Sequence, residues 1–235
     1  LSAATLVTKR IRGIRRAAMA PVVPTGSGRG AVLIDCGANA ECSPEYLMQF
    51  AYMGSYYAEH ILGCPEPRVG LLNIGAEPGK GTELQTTVYP MLEKAKQEGR
   101  INFVGNVEAR DAVEGAVDVI VTDGYSGNIL LKTMEGTALY VVGEMKKMFK
   151  SSLKTKLAAL LMKDQLMQFK KKLSSDEIGG TAMLGISKPV IKAHGSSGEY
   201  AFGNAIKQAA HFAASGIIEN ITANVDQMRL DKTEL

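Results

Sequence analysis

A chain of 235 residues, 46% hydrophobic and 22% charged, has ordinary globular composition and enough length for a substantial core. A net charge of +3 is too small to argue for nucleic acid, and three cysteines, odd in number and without zinc spacing, read as reduced thiols in a cytoplasmic protein. No apolar run approaches the about 20 residues that a membrane-spanning helix needs, and no leader peptide is visible at a start that is Leu1 and not Met, so the chain reads as lacking its true beginning.

In chain order, Gly26-Ser-Gly-Arg-Gly30 suggests a nucleotide loop, but it precedes a strand where such loops follow one, and it is read as a plain connection. The apolar run 31–35 predicts a buried strand, followed by Asp35-Cys-Gly-Ala-Asn39 and a helical pattern over 44–62. Residues 68–74 predict a second strand, with a polar loop over 73–81 and a helix over 82–98. A third strand over 101–104 leads into the loop Gly105-Asn-Val-Glu108 and a short helix over 109–114. A fourth, over 117–121, ends in Asp123-Gly-Tyr-Ser-Gly-Asn128, with a helix from Ile129. A fifth polar loop, 191–197, follows the short apolar stretch at Pro189 and Val190. Alternation of this kind predicts one α/β domain over 1–235, with a mostly parallel sheet covered on both faces. Ligands of such sheets bind beyond the carboxyl ends of the strands, so the five loops are where chemistry is expected.

Gly124 and Gly127 let a ligand approach the main chain, and the helix start behind them, capped by Ser126 or Asn128, offers N–H groups and a positive dipole end to phosphate or a developing oxyanion. Lys132, one turn further, adds charge; the plainer alternative is a helix cap with a surface lysine. Lys80 lies between Gly79 and Gly81 on pliable backbone, outside any Walker A spacing. Its ammonium suits an anionic substrate or a carbonyl oxygen gaining charge, with a solvated turn lysine as the alternative. Asp35 and Asn39 fit a ligand site or turn chemistry equally. His194 fits a general acid–base, a phosphate ligand or a structural hydrogen bond. Ser126 lacks the G-x-S-x-G elbow, so direct attack by a bound anion fits better than a covalent serine.

Several motifs recur together: Asp35-x-Gly-Ala-Asn39, Gly79-Lys-Gly81, Phe103-Val-Gly-Asn-Val-Glu108, Asp123-Gly-Tyr-Ser-Gly-Asn128 running on to Gly136, Gly179-Gly180, and Pro189-Val-Ile-Lys-Ala-His-Gly-Ser-Ser197. In this order they resemble the bacterial phosphate acyltransferases of the PlsX type, which convert acyl-acyl carrier protein and inorganic phosphate to acyl phosphate for phospholipid synthesis. The resemblance implies a three-layer α/β/α fold like that of phosphotransacetylases and isopropylmalate dehydrogenases. It also implies a homodimer, no cofactor and no metal. Lys80 and Asn128 would be essential, with His194 placed beside them. Asp35, Asn39, Asn106, Asp123, Gly124, Gly127, Lys132 and Lys192 would contact phosphate or substrate. The family's N-terminal third has no counterpart here, and Ala76 and Pro78 stand where the family often has acidic residues. Competing readings are a dehydrogenase on a related sheet, opposed by the lack of G-x-G-x-x-G after a strand, and a non-catalytic membrane or scaffold module.

Between Glu144 and Leu173, nine lysines face two acids. Leu153, Leu157, Leu160 and Leu161 share helical spacing, as do Met162, Leu166, Phe169 and Leu173. The pattern predicts an amphipathic helical arm, inserted over 145–178. Three roles compete for it: a dimer interface, reversible attachment to an anionic membrane surface, or docking of the acidic carrier. The family's product passes to a membrane glycerol-phosphate acyltransferase, which favours a cytoplasmic protein peripherally bound to the membrane.

Overall fold

In the computed structural model, residues 2–173, 179–195 and 197–229 are described. A short helix, α1 (Ser2–Val7), comes first, followed by strand β1 (Ala18–Ala20). The main sheet contains β2 (Val22–Val23), β3 (Ala31–Ile34), β4 (Arg68–Asn73), β5 (Asn102–Glu108) and β6 (Val119–Val121), in the spatial order β2-β3-β6-β4-β5. β3, β6, β4 and β5 are parallel; β2 is an antiparallel edge. The mostly parallel sheet expected from the alternation is present, with β6 inserted between β3 and β4.

Every residue of β3 is buried, because both faces of the sheet are covered. Val32 and Ile34 pack with α2 (Pro44–Leu62) and α3 (Glu83–Gln97), while Ala31 and Leu33 pack with α4 (Ala109–Glu114) and Leu130, Leu131 and Met134 of α5 (Gly124–Lys150). Helices on both faces of a sheet make the expected three layers. Pro44 opens α2 and Gly63, at φ 65°, closes it, as the sequence pattern requires. Asp118 accepts from the Arg68 backbone N–H at 3.0 Å and from Arg68 Nε at 2.9 Å, tying β4 to β6 at their amino ends. Burial alone would raise the Asp118 carboxyl; the hydrogen bonds and charge of Arg68 outweigh it and hold it below the usual range.

Four features differ from the sequence reading. The first concerns β5, which runs through 102–108, so Gly105-Asn-Val-Glu108 is strand and not loop. Phe103 pairs with Val69 and Gly105 with Gly70, leaving Val104 as a bulged residue that stands out into solvent. Glycine at φ 102° permits the bulge, and read without its partner strand it looks like a stop. Second, α5 begins at Gly124 and not near Ile129, because Asp123 is the N-cap: its Oδ1 accepts from the Ser126 N–H at 2.8 Å.

Third, a separate antiparallel sheet joins β1 to β7 (Thr181–Leu184) and β8 (Ile191–Lys192), in the order β1-β7-β8. These strands, like β2, are too short to carry a period of two. Fourth, α5 runs unbroken through residue 145 to Lys150, followed by α6 (Leu153–Leu161) and α7 (Lys163–Leu173). At about 1.5 Å per residue, its 27 residues span about 40 Å. α6 packs on α5 and α7 on α6, and no residue of α6 is buried. Residues 174–178 of the expected arm, and Ser196 of the fifth loop, lie outside the described residues. The chain closes with α8 (Glu199–Ala214), α9 (Ile217–Ala223) and a 3-10 turn over Val225–Met228.

A candidate oxyanion cleft

β3 and β6 end side by side, Ile34 opposite Val121, and their following turns interlock. The Thr122 N–H donates to the Ile34 carbonyl at 2.8 Å and the Asp35 N–H returns the bond to Thr122 at 3.0 Å. Asp35 is fully buried. Its carboxylate accepts from the N–H groups of Met19, Ala38 and Asn39 and from Asn39 Nδ2, at 2.7 to 3.2 Å. Burial pushes this carboxyl above the ordinary value, while the hydrogen bonds from Met19, Asn39 and Ala38 pull it back. Asn39 Nδ2 also donates to the Ala17 carbonyl at 2.9 Å, so the Asp35 turn is bound to the segment before β1.

The start of α5 sits against this turn with no room to spare. The Gly124 N–H donates to the Asn39 carbonyl at 2.8 Å, and a Cβ on Gly124 would lie 2.5 Å from that oxygen. A Cβ on Gly127 would run into the Asp35 carbonyl oxygen. The two glycines are thus required by close helix–turn packing. Of the four N–H groups that open α5, Gly124 gives its own to Asn39, Ser126 to the Asp123 carboxylate and Gly127 to the Asp123 carbonyl. That of Tyr125 has no partner among the described residues.

Above this framework is a half-open cleft of about 310 Å³, lined by Met19, Cys36, Gly37, Ala40, Gly124, Tyr125, Asn128 and Lys192. The exposed side chains of Asn128 and Lys192 are donors in its lining, beside Tyr125. Cys36 and Cys42, the one in its lining and the other bonded to the Asn39 carbonyl, are pushed up to about 12, in each case chiefly by burial. At neutral pH they remain thiols and offer no thiolate nucleophile.

Of the residues named from sequence, Gly124, Asn128 and Lys192 line the cleft. Asp35, Asn39, Asp123 and Gly127 build the turn and helix start beneath it. Lys132 is exposed on α5 and pairs with Glu135 at 2.7 Å. His194 is exposed two residues beyond Lys192 and outside the lining.

Lys80 is exposed in the turn after β4, also outside the lining. β4 pairs with β6, Leu71 opposite Val121, so this turn opens at the same carboxyl end of the sheet as the start of α5, on the adjacent strand. The turn is tethered twice: Asn73 Nδ2 donates to the Lys80 carbonyl at 2.9 Å, and Asn106 Nδ2 donates to the Glu77 carbonyl at 2.7 Å. Asn106, on β5, is buried, and its Oδ1 has no partner among the described residues. Met19, Cys36, Gly37, Ala40 and Tyr125 were missed as lining residues. Cys36, Gly37 and Tyr125 lie inside the quoted motifs, whereas Met19 sits on a strand of three residues that sequence periodicity cannot register.

An open, mostly parallel sheet with a cleft beyond the carboxyl ends of adjacent strands defines an α/β protein of the kind that binds its ligands there. A family model described as "Fatty acid synthesis protein" matches residues 1–220, and the chain belongs to that family. It is 45% identical over 229 residues to a phosphate acyltransferase of Anoxybacillus flavithermus, covering 97% of this chain and 68% of that one. It is 48% identical over 228 residues to the phosphate acyltransferase of Oceanobacillus iheyensis, with coverage of 97% and 68%. With that of Exiguobacterium sibiricum it shares 48% over 221 residues, with coverage of 94% and 66%. The chain therefore spans about two thirds of the length of these relatives. Among solved structures, a phosphotransacetylase from Streptococcus pyogenes is similar at a TM-score of 0.47 and 14% identity, covering 92% of this chain and 58% of that one. The family expected from the loop motifs is the family found.

Proposed function

We propose that this chain catalyses the reaction its relatives are named for: it moves a fatty acyl group from acyl carrier protein to inorganic phosphate, giving acyl phosphate. The observation that carries the reading is the cleft at the start of α5, which Asn128, Tyr125 and Lys192 line in a chain of this family. Phosphate sits against these donors. One of its oxygens attacks the thioester carbonyl carbon, forming the new C–O bond; the C–S bond breaks, and its electron pair leaves on the carrier's thiolate. Lys80, reaching in from the neighbouring turn, and Asn128 stabilise the oxyanion between these two events. Burial disfavours the thiolates of Cys36 and Cys42, which supports direct attack by phosphate over an acyl-cysteine route.

Incubation with palmitoyl-acyl carrier protein and phosphate is the test, with acyl phosphate as the expected product. A protein that binds both substrates and forms none of it would leave a non-catalytic module as the better reading, and reduction of a nicotinamide cofactor would favour the dehydrogenase.

The chain is read as one α/β unit with a helical arm inserted over 145–178. The arm and the exposed face of α5 support both a homodimer and peripheral attachment to an anionic membrane, where a glycerol-phosphate acyltransferase would take the product. Leu139 and Tyr140 on α5, and Leu153, Leu157, Leu160, Leu161 and Phe169 beyond it, are exposed apolar side chains beside the lysines. Among the described residues no helix is long and apolar enough to cross a membrane. Cosedimentation with anionic vesicles, lost on Leu160→Glu, is the expected result; pelleting unaffected by that change would assign the arm to protein contacts.

A further inference from the structure

We infer that residues 9–16 form the surface on which the acidic acyl-delivering carrier docks, an inference that rests on the acyl-transfer reading above. The segment reads Lys9-Arg-Ile-Arg-Gly-Ile-Arg-Arg16, five cations in eight residues. Ile11 and Ile14 are buried, so the segment is pinned by its apolar residues while Lys9, Arg10, Arg12, Arg15 and Arg16 stand in solvent.

Its backbone is held throughout. The Ile11 N–H donates to the Gly185 carbonyl at 3.0 Å, the Ser187 N–H donates to the Lys9 carbonyl at 3.0 Å, and Gln49 Nε2 donates to the Gly13 carbonyl at 3.1 Å. Lys9 has φ 63°, and among the described residues no other non-glycine adopts a positive φ. A side chain held in that sparsely populated region marks a segment whose geometry the surroundings impose, as at many ligand clamps.

The charges are incompletely compensated. Glu45 takes Arg15 Nε on both carboxylate oxygens at 2.9 Å, and the Arg16 guanidinium stands 5.8 Å from the centre of the Tyr46 ring. Lys9, Arg10 and Arg12 have no ion pair among the described residues. They line a groove of about 420 Å³ closed on its other side by Thr5 and Leu6 of α1. Three like charges fixed on rigid backbone repel one another, and an acidic partner relieves that repulsion.

The position suits delivery to the cleft. Arg10 bridges to Ile186, three residues beyond Met183, which pairs with Met19 on the cleft lip. β7 ends at Leu184 and Gly185 turns the chain, so these three residues span at most roughly 10 Å. The pattern also separates this surface from the arm. On α6 four leucines protrude among the cations, as membrane attachment needs, whereas within residues 9–16 both isoleucines are buried, and the exposed apolar side chains beside them, Leu6 and Val7, belong to α1. A charged rim of this kind steers and orients a protein partner.

The test is the affinity of purified palmitoyl-acyl carrier protein for the full chain, measured by fluorescence anisotropy at several salt concentrations. The triple variant Lys9→Asn/Arg10→Gln/Arg12→Gln keeps a residue that tolerates positive φ at position 9. It is expected to bind the carrier about tenfold more weakly and with a flatter salt dependence. The charge-keeping variant Lys9→Arg/Arg10→Lys/Arg12→Lys is expected to bind as the unmodified chain does. Acyl phosphate formation from a palmitoyl N-acetylcysteamine thioester, which has no carrier, should be unchanged in the triple variant, and this also shows that it folds. Carrier affinity within about twofold of the unmodified chain overturns the inference. So does loss of anionic-vesicle binding with carrier affinity intact, which would make the segment a membrane contact. If the unmodified chain forms no acyl phosphate from either donor, the acyl-transfer reading fails instead, while the anisotropy result still decides where the carrier docks.

Discussion

Gly127→Ala is expected to lower acyl phosphate formation by more than about 10²-fold, the loss that follows when reacting groups are displaced by about 1 Å. Gly127 is buried in the first turn of α5, where an added methyl group would meet the Asp35 carbonyl oxygen and lie 2.8 Å from Thr122 Cγ2. Neither neighbour can yield: the Asp35 N–H is bonded to the Thr122 carbonyl, and the Asp35 carboxylate is held by Met19, Ala38 and Asn39. The helix start must move instead, and it carries Tyr125 and Asn128 away from the cleft. Overpacking of this kind also costs about 1–3 kcal/mol of stability, readable as a lower unfolding temperature. Gly136→Ala is the control: it lies on the same helix with nothing within 4 Å of an added Cβ, and should leave activity intact and slightly raise stability. Near-normal turnover by Gly127→Ala would show that the start of α5 does not hold the reacting groups.

Lys80→Ala is expected to reduce kcat by about 10²–10³, the usual effect of removing one oxyanion donor, with little change in the KM for phosphate. The structure adds a contrast that sequence alone did not supply. Lys192, and not Lys80, lines the cleft, so Lys192→Ala should raise the KM for phosphate more than it lowers kcat. The role proposed for Lys80 is played from an adjacent turn, whose carbonyls are tethered by Asn73 and Asn106. Steady-state kinetics at varied phosphate separates the two lysines. A Lys80→Ala enzyme that turns over at the unmodified rate would remove Lys80 from the mechanism.

The strands and helices that frame the cleft were legible because their causes are local. Buried parallel strands must be apolar on both faces, so 31–35 and 117–121 appear as unbroken runs. Pro44 and Gly63 bound α2 by their own backbone chemistry, whereas Gly124 and Gly127, read as room for a ligand, make room for the Asp35–Asn39 turn instead. What was misread had its cause elsewhere in the chain. The bulge at Val104 exists only because β4 lies alongside, and Asp123 caps α5 in place of Ser126 or Asn128 because Asn39 and Asp35 fix where the helix begins.

The sequence by itself determined the alternation of strand and helix, the loops that bear chemistry and the family, since each depends on residue type and spacing along the chain. Only the tertiary structure decided which loops share a cleft. Insertion of β6 between β3 and β4 sets the Asp35 turn against the start of α5, with the Lys80 turn on the next strand and outside the lining, and pairing of β1 with β7 and of β7 with β8 brings Met19 and Lys192 to the same opening. Pairing partners of strands two to four residues long are chosen by contacts remote in sequence, and no local pattern records them.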